Sequence, residues 1–131
     1  MLTNDLCETL PLVFQNKARI ADRFYQAMFR LAPETRAHFG GGFGEQKSVF
    51  AMLIVKIAQS AGNPDALEQI ARHMVEVHRR HGISAADFRI AGRALREALE
   101  SSLSEGLTVR QLARWTRVAD TLIQRMIALS D

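Results

Sequence analysis

Three polar residues in this chain stand on apolar helical stripes. Tyr25 lies between Phe24 and the pair Met28–Phe29, and Gln46 lies one turn before Phe50. His78 closes the stripe Leu67, Ile70, Ala71, Met74, Val77. A neutral imidazole is the commonest protein metal ligand, and a single histidine often holds a haem iron. His78 sits one turn before a helix-ending glycine, Gly82, with Met74 four residues earlier on the same face. A buried tyrosine hydroxyl or glutamine amide must find a hydrogen-bond partner, at a cost of about 1–3 kcal/mol if it does not. A tyrosine, a glutamine and a histidine facing one apolar cavity would suit a metal-bound polar ligand. A lone helical histidine carries that reading weakly, because most such histidines serve packing or the surface.

Nearly the whole chain reads as helix. β-Branched residues never alternate at period two, and the only prolines are Pro11, Pro33 and Pro64. A first helix is predicted from Thr3 to Gln15, bent at Pro11, and a second from Lys17 to Leu31. Pro33 suits the first position of a short helical turn through Thr35 and Arg36. Residues Gly40 to Gly44 carry four glycines and Phe43, and read as a flexible linker between two helical halves. A long helix is expected over Glu45–Ser60, with Phe50, Leu53, Ile54, Ile57 and Ala58 inward. Asn63 and Pro64 open the helix that carries His78. Ser84 with Asp87, and Thr108 with Gln111, read as capping boxes for the last two helices. Six main helices plus a short turn helix make an all-α chain, taken as one domain over 1–131.

Composition narrows the function. Hydrophobic residues form 47% of the chain, too many for disorder. No apolar run approaches the roughly 18 residues of a membrane span, and MLTNDLCETL lacks the pattern of a secretory signal. The single cysteine, Cys7, cannot pair internally, which fits a reducing cytoplasm, and its expected role is helix packing. The net charge of +3 is no nucleic-acid signature. Arg89, Arg93 and Arg96 share a helical face, but Glu97 and Glu100 follow Arg93 and Arg96 by four residues, so the face is read as self-compensated and solvated. Trp115 and Tyr25 give no aromatic interleaving for base stacking. Neither nucleic acid nor membrane is expected as a partner.

At three places the sequence resembles the globin family, close to the bacterial single-domain haemoglobins and the haem domain of flavohaemoglobins. FYQAMFRLAPETRAHF, from Phe24 to Phe39, resembles the family's tyrosine-bearing second helix and its haem-stacking phenylalanine. EQKSVFAM resembles the distal helix, with Gln46 at the distal position. HRRHGISAADF resembles the proximal histidine and the turn after it. The steps from Tyr25 to Phe39 and from Gln46 to His78 match the family's spacing without a gap. The resemblance implies a globin fold, haem b with His78 as the iron ligand, and Tyr25 and Gln46 as the pair that hydrogen-bonds a gas ligand. It places Phe39 or Phe43 on the haem face. Phe29, Phe50, Leu53, Met74, Val77, Ile83, Phe88 and Met126 fall at pocket-wall positions.

The implied function is reversible binding of oxygen, nitric oxide or carbon monoxide, for oxygen storage or transport, by a cytoplasmic monomer or weak homodimer. Nitric oxide detoxification would need a separate reductase, since 131 residues leave no room for a flavin or nicotinamide domain. Two departures from flavohaemoglobins stand out. Their proximal tyrosine and glutamate correspond here to Phe88 and Met126, and the glycine-rich segment is shorter. Among the other histidines, His38 lies in the linker turn and His73 lies off the His78 face. His81, three residues on, competes as ligand, but His78 is preferred; His81, Arg79 and Arg80 read as surface residues, one of which could reach a haem propionate. The alternative is a globin-like module that has lost haem and serves as a sensor or docking unit.

Overall fold

The computed structural model describes residues 2–38, 43–80 and 82–130, with side chains from residue 8 onward except those of 38 and 43. Six α-helices follow one another: α1 (Leu2–Gln15), α2 (Lys17–Leu31), α3 (Phe43–Gln59), α4 (Pro64–Arg79), α5 (Ala85–Leu103) and α6 (Val109–Leu129). One stretch of 3-10 helix, Pro33–His38, connects α2 toward α3. Pro11 lies inside α1 without ending it. α3 begins at Phe43, two residues before the expected Glu45, so the last part of the expected linker is already helical.

The helix ends follow from local chemistry. Asn63 Oδ1 accepts the backbone N–H of Ala66 at 3.2 Å, and Pro64 occupies the first turn, where its missing N–H leaves nothing unpaired. The Asp87 carboxylate accepts the Ser84 backbone N–H at 2.8 Å and its hydroxyl at 3.0 Å. Thr108 and Gln111 cap reciprocally at 3.0 and 3.1 Å. At the end of α4, Gly82 takes φ +72°, a left-handed turn that only glycine enters without strain. The Ile83 N–H then bonds the His78 carbonyl, and the Gly82 N–H bonds the Arg79 carbonyl. These two bonds form the Schellman pattern, which stops the helix one turn beyond His78.

α2 lies across α5, α5 packs on α6, and α6 carries α4 on its other side; α3 lies on α2 and α1. Small residues allow the α2–α5 crossing: Ala27, Ala94 and Ala98 are all buried there. One apolar cluster, around Ile20, Phe24, Leu95, Leu103 and Trp115, joins α1, α2, α3, α5 and α6. A second, around Ile57, Ile70, Val75, Phe88, Leu122 and Met126, joins α4 to α5, α6 and the end of α3. Burial of each large side chain contributes about 2 kcal/mol. The buried indole N–H of Trp115 donates to the Thr9 hydroxyl at 2.7 Å, tying α1 to α6. Glu68 on α4 holds Arg125 on α6 by two bonds, at 2.6 and 2.9 Å.

The backbones of the consecutive helices α3 and α4 stay largely apart, since α3 lies mainly on α2 and α1 and α4 on α6. The turn Ser60–Asn63 joins them, and Ile57 near the end of α3 is buried in the same cluster as Leu67 and Ile70 of α4. The arginine stripe on α5 finds other counterions than the sequence spacing implied. Arg96 pairs with Asp120 on α6 at 3.5 Å, and Glu97 pairs with Arg30 on α2. No described helix is long and apolar enough to cross a membrane.

Candidate functional site

His78 stands in the last turn of α4 and is half-buried. Its ring nitrogen Nδ1 lies 2.7 Å from the Met74 carbonyl oxygen, one turn back. A carbonyl only accepts, so Nδ1 carries the proton. In the neutral ring Nε2 therefore holds the lone pair, and it points away from its own helix. Phe88 packs edge-on against the imidazole, with ring centroids 5.6 Å apart and planes at 75°. Met126 is buried in the same cluster as Phe88. Neither side chain can accept the imidazole proton, so the Met74 carbonyl has no rival from these two. Two features of the sequence thus fix the ring: the i−4 carbonyl orients it, and Gly82 ends the helix just beyond it.

The other two candidate polar residues lie on α3 and α2; the first is Gln46, on α3. Its stripe Gln46, Val49, Phe50, Leu53 repeats at helical spacing. Tyr25 on α2 is 4% exposed and is hydrogen-bonded to the Gln46 side chain. Burial pushes the Tyr25 hydroxyl above its ordinary pKa of 10, and the Gln46 bond opposes this in part. The hydroxyl is therefore a protonated donor throughout the neutral range. Three rings hold the tyrosine in place. Phe24 meets it edge-on at 5.1 Å, Phe50 at 5.6 Å, and Phe29 lies tilted at 6.1 Å. Phe24 and Phe50 stack at 4.2 Å, which fastens α3 to α2.

The expected site residues do not share one degree of burial. Tyr25, Phe88 and Met126 are buried, whereas Phe29, Phe50, Leu53, Met74, His78 and Ile83 are half-buried. Gln46 is exposed, not enclosed in an apolar cavity as its stripe suggested. The reason is its place in the first helical turn of α3, beyond the Phe24–Phe50 contact. Val77 is 37% exposed, at the outer edge of the α4 stripe. Phe39 and the side chains of Phe43, His38 and Cys7 lie outside the described residues, as does His81. His73 is exposed.

Val49 is 58% exposed and Met52 56%, both on α3, so apolar surface is left open there as well as at Val77. Among the described residues no group of three or more His, Cys, Asp or Glu could hold a metal ion. A lone histidine without such a group could serve only a metal whose remaining ligands come from elsewhere, as a macrocycle supplies them. Two depressions lie away from these residues. A groove of about 720 Å³ between α2 and α5 is lined by Arg23, Arg30, Glu97 and Ser101. It is spanned by the Arg30–Glu97 pair and by the bond from Arg23 to the Ser101 carbonyl, so its polar groups serve one another. A smaller dent of about 290 Å³ lies between Pro11, Phe14 and Val55.

The long-range contacts near the site were missed by sequence reasoning. Lys47 Nζ lies 2.6 Å from Asp22 Oδ1, next to the Tyr25–Gln46 bond. No local signal marks a pair 25 residues apart.

Comparison with known proteins gives a consistent result. A family model described as Globin matches residues 22–126. A flavohemoprotein of Chromobacterium violaceum is 27% identical over 122 residues, covering 88% of this chain. The chain spans only 30% of that relative's length. An uncharacterized globin-like protein of Aquifex aeolicus is 26% identical over 121 residues, with 92% of this chain and 86% of that protein covered. Among solved structures, an engineered carbene transferase made from a putative nitric oxide dioxygenase of Rhodothermus marinus superimposes with a TM-score of 0.80. The two share 25% identity over 98% of this chain and 90% of that one.

Proposed function

Because the chain belongs to the globin family, we propose that it holds haem b on His78 and reversibly binds a diatomic gas beside Tyr25 and Gln46. The observation that carries this reading is the 2.7 Å bond from His78 Nδ1 to the Met74 carbonyl. It sets the tautomer and leaves Nε2 as a lone-pair donor directed away from α4. The haem supplies the iron on which the gas is taken up and released.

The chain's own residues do the rest. Met74, Leu53, Phe50, Ile83 and Phe88 offer apolar walls that exclude water and so slow oxidation of the iron. Tyr25 and Gln46 donate hydrogen bonds to the ligand's negative end, which favours oxygen over less polar gases. With only a backbone carbonyl as partner, the His78 imidazole stays less anionic than one backed by a carboxylate, since an anionic acceptor raises ligand basicity. That favours reversible binding over peroxidase-type chemistry. Nitric oxide dioxygenation remains within reach of the same residues, supported by the flavohemoprotein and putative nitric oxide dioxygenase relatives. Sustained turnover would then require electrons from a reductase.

A second reading is favoured by the exposed Val49 and Met52, which on a haem-free chain would form a docking face. Titrating hemin into the purified chain separates the two. The haem reading expects saturation at one equivalent, with an intense Soret band that moves on dithionite reduction and again under carbon monoxide. A chain that takes up no hemin is the docking module instead.

A further inference from the structure

We propose that the Asp22–Lys47 ion pair is a latch that positions Gln46 against Tyr25, and through it sets how fast the gas ligand escapes. The functional half of this proposal rests on the haem reading above. The structural half stands on the geometry of α2 and α3.

Lys47 follows Gln46 directly, and Asp22 precedes Tyr25 by three residues, about one helical turn. The ammonium of Lys47 lies 2.6 Å from Asp22 Oδ1. Gln26 donates to the other carboxylate oxygen at 3.0 Å, which holds the Asp22 carboxylate in orientation. The ion pair therefore lies beside the Tyr25–Gln46 bond and joins the same two helices.

Further features bear on this turn. Gln46 is exposed, so burial does not hold it. A Cβ added at Gly44 would meet nothing within 4 Å, so the space on that side of Gly44 is open among the described residues. The apolar fastening of α3 to α2, Phe50 on Phe24, lies one turn further along. The first turn thus lies before its hydrophobic contact, and among the described residues the Lys47–Asp22 ion pair ties it to α2. With the pair formed, the Gln46 amide stays at the Tyr25 hydroxyl. With it broken, the turn can swing outward about the Phe50 contact and open the ligand's exit.

The side chains of Lys47 and Asp22 are 34% and 47% exposed, so the bias is modest and sensitive to salt. A pair of this kind shifts a closed-to-open ratio by about two- to fivefold, and screening weakens it as ionic strength approaches about 1 M.

Tyr25 is the only tyrosine, so 3-fluorotyrosine incorporation gives one fluorine resonance that reports this site. The experiment follows that resonance in the purified chain, with and without hemin. Asp22→Asn is expected to move it in the direction in which Gln46→Leu moves it. The double swap Asp22→Lys with Lys47→Asp returns it toward wild type. Raising salt moves the wild-type resonance the same way but leaves Asp22→Asn unchanged. On the hemin-loaded protein, Asp22→Asn speeds oxygen release about two- to fivefold, and the swap restores it. A purely structural loss would not be rescued by reversed charges. The latch is overturned if Asp22→Asn leaves the resonance in place, if Gln46→Leu does not move it, or if the swap fails to restore it. A chain that binds no hemin defeats the haem reading, while the fluorine measurements still decide the latch.

Discussion

Replacing Tyr25 by phenylalanine removes one oxygen atom from a ring that is 4% exposed and held by Phe24, Phe29 and Phe50. The three ring contacts survive the change, so no cavity opens beyond the volume of a hydroxyl. Gln46 loses its partner, but it is exposed and turns to water. Folding stability should therefore fall by no more than about 1 kcal/mol. Ligand release should change more. Burial keeps the Tyr25 hydroxyl protonated, and a hydroxyl donor to a partly negative oxygen contributes on the order of 1 kcal/mol, which is about fivefold in rate. Carbon monoxide carries less negative charge when bound, so its release should change by less than about twofold on the same scale. Stopped-flow displacement of each gas from the hemin-loaded, reduced protein measures both rates. Gln46→Leu should act in the same direction. Equal acceleration of the two gases, or slower oxygen release, would refute the idea that Tyr25 donates to the ligand.

Gly82→Ala forces alanine into φ +72° at the end of the histidine-bearing helix, at a cost of about 1–2 kcal/mol. The urea midpoint should fall accordingly, and hemin should leave faster because the last turn of α4 frays. Thr9→Val strands the buried indole N–H of Trp115, so unfolding followed by its fluorescence should show a loss of about 1–3 kcal/mol; as the sole tryptophan, it reports without background. Because the folded-state pKa of Tyr25 is raised above its ordinary 10, its contribution to stability is full below pH 10 and declines as pH rises through the folded value. Urea midpoints between pH 8 and pH 11 should therefore decline less steeply in Tyr25→Phe than in wild type. Peroxidase turnover of the hemin-loaded chain should be poor and should rise little with pH, because neither Phe88 nor Met126 can take a proton from His78.

The helices were legible because each signal is local. Asn63–Pro64, Thr108 with Gln111, and Gly82 all act within one turn of the chain, so their types at those spacings determine helix ends wherever they occur. The stripes that bury α4 and α6 follow from helical period in the same way. What the stripes did not reveal was depth. Gln46 and Phe50 share a stripe, yet only Phe50 is packed, since the stack on Phe24 lies one turn past Gln46. Contacts between distant segments were equally hidden. Asp22 to Lys47, Thr9 to Trp115 and Arg96 to Asp120 each depend on how helices cross, and surface charges at i,i+4 spacing gave a different pairing for Glu97. The bond from His78 to the Met74 carbonyl lies between these cases. Its i−4 geometry is local, but it holds the ring only because Phe88 packs against the imidazole and offers no acceptor of its own.

The central claim is that Nε2 of His78 holds the iron while Nδ1 is bonded to the Met74 carbonyl alone. Resonance Raman spectroscopy of the reduced, ligand-free haem protein reads this bond directly through the iron–histidine stretch. The line should be present in wild type, at a lower frequency than in flavohaemoglobins, and absent in His78→Gly unless imidazole is added. A line that persists in His78→Gly without imidazole, or a wild-type frequency as high as in flavohaemoglobins, would contradict it.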